Sequence, residues 1–122
     1  MLKSVFRTTQ FKKDFKALLK KHYNPDKLRQ AIDTLMAQDK QLLSTKYRDH
    51  QLTGSWRGYR EIHIEGDWLV IYRVEKQELQ LVLTRTGSHD DLFQRLPDYR
   101  LLEQVEQAER GLLVDGVVQF AL

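Results

Sequence analysis

No cysteine occurs among the 122 residues. Disulfides, thiol nucleophiles and zinc sites built on thiolates are therefore excluded. Prolines are scarce as well, two in all, and Pro25 and Pro97 each mark a boundary in the chain. No apolar run approaches the roughly 20 residues that span a bilayer. The N-terminal stretch MLKSVFRTTQFKKDFK interleaves charge too closely for the apolar core of a signal peptide. The expectation is a cytoplasmic protein with no membrane partner. There is also no internal repeat and no low-complexity segment. Hydrophobic residues make up 41% and charged residues 30%, the composition of a folded domain and not of a disordered chain.

The net charge of +3 conceals an asymmetry. Residues 1–94 carry 17 Lys+Arg against 12 Asp+Glu, whereas residues 95–122 carry 3 against 5. A basic body suits a polyanionic partner, and an acidic tail suits a cover for it. The alternative is that charge of this size only keeps a small protein soluble. Lys12, Lys13, Lys16, Lys20 and Lys21 are open to the same two readings, a solvated helix face or a contact with a polyanion.

Hydrophobic periodicity orders the body as β-α-α-β-β-β, an α+β fold. LKSVFRT reads as a first strand. Thr8 or Thr9 caps a helix with Phe11, Phe15, Leu18 and Leu19 on one stripe. Asn24 and Pro25 start a second helix, with Leu28, Ile32, Leu35 and Met36 at the same spacing. After a polar connection the period drops to two. GYREIHIE puts Ile62 and Ile64 on one face and Tyr59, Glu61, His63 and Glu65 on the other. Gly66-Asp67 is a hairpin turn, WLVIYRV a strand apolar on both faces, and ELQLVLTRT a strand with Leu79, Leu81, Leu83 and Arg85 on one side. The spacing predicts a twisted antiparallel sheet with a helical hairpin on one face. Beyond Pro97, Leu101, Val105, Ala108 and Leu112 form a narrow helix stripe, and VDGVVQFAL closes as a strand. This acidic extension is too short to fold alone and must pack on something.

Three of the four histidines invite a chemical reading. His22 ends the first helix, where a helix dipole explains it. His50 lies in a loop, His63 faces away from Ile62 and Ile64, and His89 follows a strand-to-helix junction. Three histidines with Asp67 have the composition of a zinc site. None of them falls in a short ligand pair, however, and Arg48, Arg57, Arg60 and Arg85 disfavour a dication, so no metal or other cofactor is expected. Acid–base chemistry fits better, because an imidazole both takes and gives a proton near neutrality. RNA cleavage needs a base for the 2′-hydroxyl, an acid for the leaving 5′-oxygen and a cation at the phosphorane.

The stretches DHQLTGSWRGYREIHI, DWLVIYR and RTGSHDDLF closely resemble the YafQ branch of the RelE/ParE superfamily of bacterial toxins, and the similarity spans residues 1–94. The resemblance implies a small RelE-like α/β ribonuclease that cleaves messenger RNA in the ribosomal A site without a metal and is held inactive by a cognate antitoxin. It implies His50, His63 and His89 as catalytic histidines, Asp67 as the acidic site residue and Arg85 beside the scissile phosphate. Phe93 and Trp68 match aromatics that stack on a base, although a core anchor explains Trp68 equally well. Arg48 and Arg60 are expected at the substrate. Asp67 is expected to fix an imidazole tautomer or raise its pKa. Which histidine is base and which acid stays open, as do two rivals: a ParE-like protein binder, and a degenerate member that binds without cutting. The extension of residues 95–122 departs from the family pattern. It is expected to pack on the body, in cis or across a dimer, whether as an inhibitor or only as a stabiliser.

Overall fold

Thr8 ends one element and starts the next. Its side-chain oxygen accepts the Phe11 backbone N–H at 2.9 Å, and its hydroxyl donates to the Thr84 carbonyl at 2.8 Å. An orphan N–H of the first helical turn is thereby satisfied. β1 (Ser4–Arg7) stops before it and α1 (Thr9–Lys20) follows. The structure is a computed structural model that describes residues 1–93.

α1 closes through His22, which adopts φ 67°. The N–H groups of His22 and Tyr23 bond back to the Leu19 and Leu18 carbonyls at 3.0 and 3.1 Å, the double closure of a Schellman cap. His22 thus has a structural role, in its backbone. Asn24 caps α2 (Pro25–Ala37) by accepting the Asp26 N–H at 2.9 Å. Phe11, Leu18, Leu28, Ala31 and Leu35 are buried. Leu19, expected on the stripe, is 41% exposed, so the buried face of α1 is narrower than its spacing predicts.

The region expected to be a polar connection holds three short elements. Asp39 caps α3 (Lys40–Thr45), β2 is His50–Gln51, and Gly54–Trp56 forms a 3₁₀ turn. A six-residue helix and a two-residue strand are too brief to show a period. β3 (Arg60–Glu65), β4 (Trp68–Glu75) and β5 (Gln80–Ser88) follow. The sheet order is β1-β5-β4-β3-β2. β1 joins β5 in parallel and every other pair is antiparallel. The sheet is therefore five-stranded and predominantly antiparallel, as expected, with β1 adding one parallel pair at its edge.

One face of the sheet carries the core, with Ile62, Trp68, Val70, Tyr72, Leu81 and Leu83 packed with the buried residues of α1, α2 and α3. The alternation in β5 is interrupted. Tyr72 pairs with Leu83 and Ile71 with Arg85, which leaves Thr84 over as a bulge. Arg85 accordingly shares a face with Ile71 and not with Leu83, contrary to strict parity. Leu79, placed in the strand by its spacing, sits in the preceding turn at φ 50°.

Met1–His89 makes one compact unit and Asp90 opens a second. α4 (His89–Phe93) is the last described element. The expected C-terminal helix, strand and tail packing lie outside the described residues. Among the described residues no helix is long and apolar enough to cross a membrane.

Candidate active site

Strand pairing brings together what the sequence keeps apart. His50 on β2 stands opposite Glu61 on β3, Glu61 opposite Ile71, and Ile71 opposite Arg85. The neighbouring row on that face is His63, Leu69 and Gly87. Directly opposed residues project to the same side, and alternate residues along a strand do likewise. His50, Glu61 and His63 therefore share the face turned away from the helices.

The segment that delivers His50 is kinked. The Tyr47 carbonyl accepts the His63 N–H at 2.7 Å, and three residues on, His50 pairs with Glu61, only two residues back along β3. The extra residue is taken up with Arg48 at φ 49°, as a bulge does. The kink turns the Arg48 carbonyl toward His50 Nδ1 at 3.0 Å and its guanidinium toward His63 Nδ1 at 3.2 Å.

Glu61 is the centre of the arrangement. Its side chain is 5% exposed, and one oxygen, Oε2, lies 3.1 Å from His63 Nε2 and 3.4 Å from His50 Nε2. The two rings lie 5.9 Å apart, tilted by 32°. The hydrogen bonds dictate tautomers. A guanidinium only donates, so His63 Nδ1 accepts and its proton sits on Nε2, facing Glu61. A carbonyl only accepts, so His50 Nδ1 carries a proton. With Glu61 at its other nitrogen, the His50 ring satisfies both neighbours when both nitrogens are protonated.

Burial, followed by the Arg48 charge, pulls His63 below the ordinary imidazole range, against a smaller upward pull from Glu61. A depressed native pKa means that the unfolded chain binds more protons. This contribution to stability is complete above about pH 6.5 and is lost as pH falls toward the native value. An NMR titration of the His63 ring is expected to show its midpoint below 6.5. Arg48→Gln should move that midpoint upward, and an unmoved midpoint would remove Arg48 from the account.

The other expected site residues are placed differently. Asp67 Oδ1 accepts the His89 backbone N–H at 3.2 Å, so it positions the start of α4, and the carboxylate at the imidazoles is Glu61. His89 is exposed, two residues beyond Gly87 at the end of the His63 row. Arg85 is bidentate to Asp14 at 2.8 and 2.9 Å, and Asp14 also accepts the Thr86 N–H at 3.1 Å. Arg60 is held by Asp49 at 3.1 to 3.3 Å, and Tyr72 donates to the same carboxylate at 2.6 Å. Arg60 and Arg85 are thus engaged by carboxylates within the protein, whereas Arg48 reaches the His63 imidazole. Trp68 is 2% exposed, packed edge-on to Tyr23 at 4.9 Å, with Nε1 donating to Thr86 Oγ1 at 2.9 Å. It is a core anchor, with no face open to a base. Phe93 belongs to the second unit.

The family of this arrangement is decided by its sequence. A sequence model of the bacterial toxin YafQ of type II toxin–antitoxin systems matches residues 3–94. The chain belongs to the YafQ toxin family. It is 40% identical over 84 residues to the mRNA interferase toxin YafQ of Escherichia coli (strain K12), a match covering 69% of this chain and 88% of that protein. The YafQ fold in the E. coli DinJ-YafQ complex aligns with a TM-score of 0.64 at 37% identity, over 73% of this chain and 96% of that one. A metal-bound toxin from Helicobacter pylori aligns with a TM-score of 0.67 at 38% identity, over 76% of this chain and all of that one.

Glu61 was the functional candidate that sequence reasoning passed over. The signal was present: Glu61 and His63 are two apart on one strand face, inside the stretch GYREIHI that carries the family likeness. Glu61 and His63 also have the i, i+2 spacing of a short ligand pair, which the histidines and Asp67 by themselves do not offer.

Proposed function

We propose that the protein is the toxin of a type II toxin–antitoxin pair, an endoribonuclease that cuts messenger RNA in the ribosome by acid–base catalysis. The observation that carries this reading is the pair of imidazoles on one oxygen of a buried carboxylate. The E. coli relatives add the name mRNA interferase and, in the DinJ complex, an antitoxin bound to the same fold; a cognate antitoxin is the matching partner here.

In this mechanism the phosphate draws the exposed Arg48 guanidinium away from His63. Neutral His63 then takes the 2′-hydroxyl proton through the freed Nδ1 lone pair while Nε2–H holds Glu61. The 2′-oxygen forms a bond to phosphorus, and the bond to the 5′-oxygen breaks. Doubly protonated His50 gives that oxygen its proton, which leaves a 2′,3′-cyclic phosphate and a 5′-hydroxyl. His89 holds the phosphate at the end of the same row. The 2′-hydroxyl restricts the reaction to RNA.

Primer extension on message held in translating ribosomes tests the proposal. The full chain is expected to give discrete in-frame cuts, and folded His63→Ala about a hundredfold fewer. Equal cutting by the variant would overturn the catalytic assignment. Ribosome binding with no cut by the parent protein would favour a pure binder.

A further inference from the structure

The two faces of the sheet are interleaved residue by residue where β2 meets β3. His50 stands opposite Glu61 and Gln51 opposite Arg60, and Arg60 in turn faces Tyr72 on β4. Opposed residues share a face, and neighbours along a strand alternate. Arg60 and Tyr72 therefore lie on the helix side, directly behind Glu61 and the imidazoles. Asp49, the residue before His50, meets them there. Its carboxylate accepts Arg60 Nε at 3.2 and 3.3 Å, Arg60 Nη2 at 3.1 Å and the Tyr72 hydroxyl at 2.6 Å. Asp49 thus sits between the two residues that build the other side: His50, and Arg48, whose guanidinium meets His63 Nδ1 and whose carbonyl meets His50 Nδ1.

β2 does not set that spacing by itself. It has two residues, too few for a backbone ladder to fix its distance from β3. Packing does not set it either. Asp49, Arg60 and Tyr72 line a cavity of about 450 Å³ with Leu35, Leu43 and Val74, so on that side the carboxylate is held by bonds and not by close contacts. Those bonds are strong. Arg60 supplies charge-assisted ones to a half-enclosed carboxylate. Burial, followed by the bond to Asp49, holds the Tyr72 phenol above its ordinary range, so its hydroxyl stays a donor near neutrality. The Asp49 N–H also donates to the Leu43 carbonyl at 2.9 Å, which ties the segment to α3.

We propose that Asp49 is a positioning residue for the imidazole pair. Its clamp on Arg60 and Tyr72 fixes β2 against β3 from the back of the sheet, and so sets where Arg48 and His50 stand on the front. The consequence for cleavage rests on the proposed function; the consequence for the ring geometry does not. The clamp lies on the face opposite the site, so its loss should slow the chemical step and leave substrate binding alone.

Asp49→Asn in the full-length chain tests this. Asparagine keeps the shape but loses the charge and turns a donor toward the Arg60 donors. The first readout is cross-relaxation between the ring protons of His50 and His63 in the free protein, whose centroids stand 5.9 Å apart. The second is cleavage kinetics on message in translating ribosomes. The inter-ring signal is expected to vanish while the rest of the sheet keeps its contacts. The kcat is expected to fall about a hundredfold at unchanged KM, the scale of loss when a reacting group is misplaced by about 1 Å. Tyr72→Phe removes one donor and leaves the Arg60 bonds, so it should show both effects more weakly. An intact inter-ring contact or a normal kcat in folded Asp49→Asn would overturn the clamp, and so would a raised KM at normal kcat. Should Asp49→Asn not fold, Tyr72→Phe decides alone, and unchanged rings and rate there would overturn it. A parent protein that never cuts RNA, but whose ring contact is lost in Asp49→Asn, would refute the nuclease and leave the positioning role standing.

Discussion

Glu61→Gln is expected to yield a folded protein that cuts RNA at least a hundredfold more slowly. General acid–base assistance contributes about 10²–10⁴ to such rates, and one Glu61 oxygen contacts both the His50 and the His63 imidazole. Glutamine keeps the shape but loses the charge and replaces one acceptor oxygen with a donor. His50 then faces an amide and no longer has a carboxylate to match its second N–H, and His63 loses the anion that anchors Nε2. Stability should move the other way or not at all, because a buried carboxylate is costly to desolvate and a neutral isostere removes that cost. Such opposition between activity and stability is common where a site is built from groups that folding alone would not choose. Single-turnover cleavage beside thermal unfolding reads both quantities. A folded variant with near-normal cleavage would sink the role of Glu61. Lost cleavage accompanied by a much lower melting temperature would reassign Glu61 to structure.

The elements that were legible in the sequence are those whose local chemistry suffices. Thr8, Asn24 and Pro25 fix helix starts through bonds within a few residues, and Gly66-Asp67 marks its hairpin whatever surrounds it. The illegible parts depend on partners distant along the chain. His50 reads as a loop residue because β2 exists only through its pairing with β3. Arg85 reads as a strand residue aligned with Leu83 because the Thr84 bulge is set by β4 and by the Thr8 hydroxyl on the Thr84 carbonyl. The arginines read as substrate contacts because nothing local announces that Asp14, 71 positions away, holds one of them. Glu61 lies between these cases. Strand parity placed it beside His63, but a surface carboxylate and a buried one look alike until β2 comes alongside.

Trp68→Ala should lower the melting temperature by tens of degrees, while Trp68→Phe should lower it only modestly and leave KM unchanged. Truncating a buried Trp costs about 3–5 kcal/mol, and 1 kcal/mol shifts the midpoint of a domain this size by about 4–8 °C. Phenylalanine retains most of the apolar ring against Tyr23 and gives up only the Nε1–H bond to Thr86, worth about 1 kcal/mol. Thr86 keeps its other partner, because its hydroxyl still donates to the Leu69 carbonyl at 2.8 Å. A stacking platform would behave differently: stability would barely change, and the substrate requirement would rise as the indole surface shrank. The distinction bears on the site because Trp68 follows Asp67 in sequence and pairs with Ser88, the residue before His89. An intact Trp68 holds the end of β4 against the end of β5, and so keeps the Asp67 carboxylate within reach of the His89 N–H. Thermal melts and cleavage kinetics on the two variants separate these roles. A Phe variant with normal stability and a raised KM would return Trp68 to the substrate side.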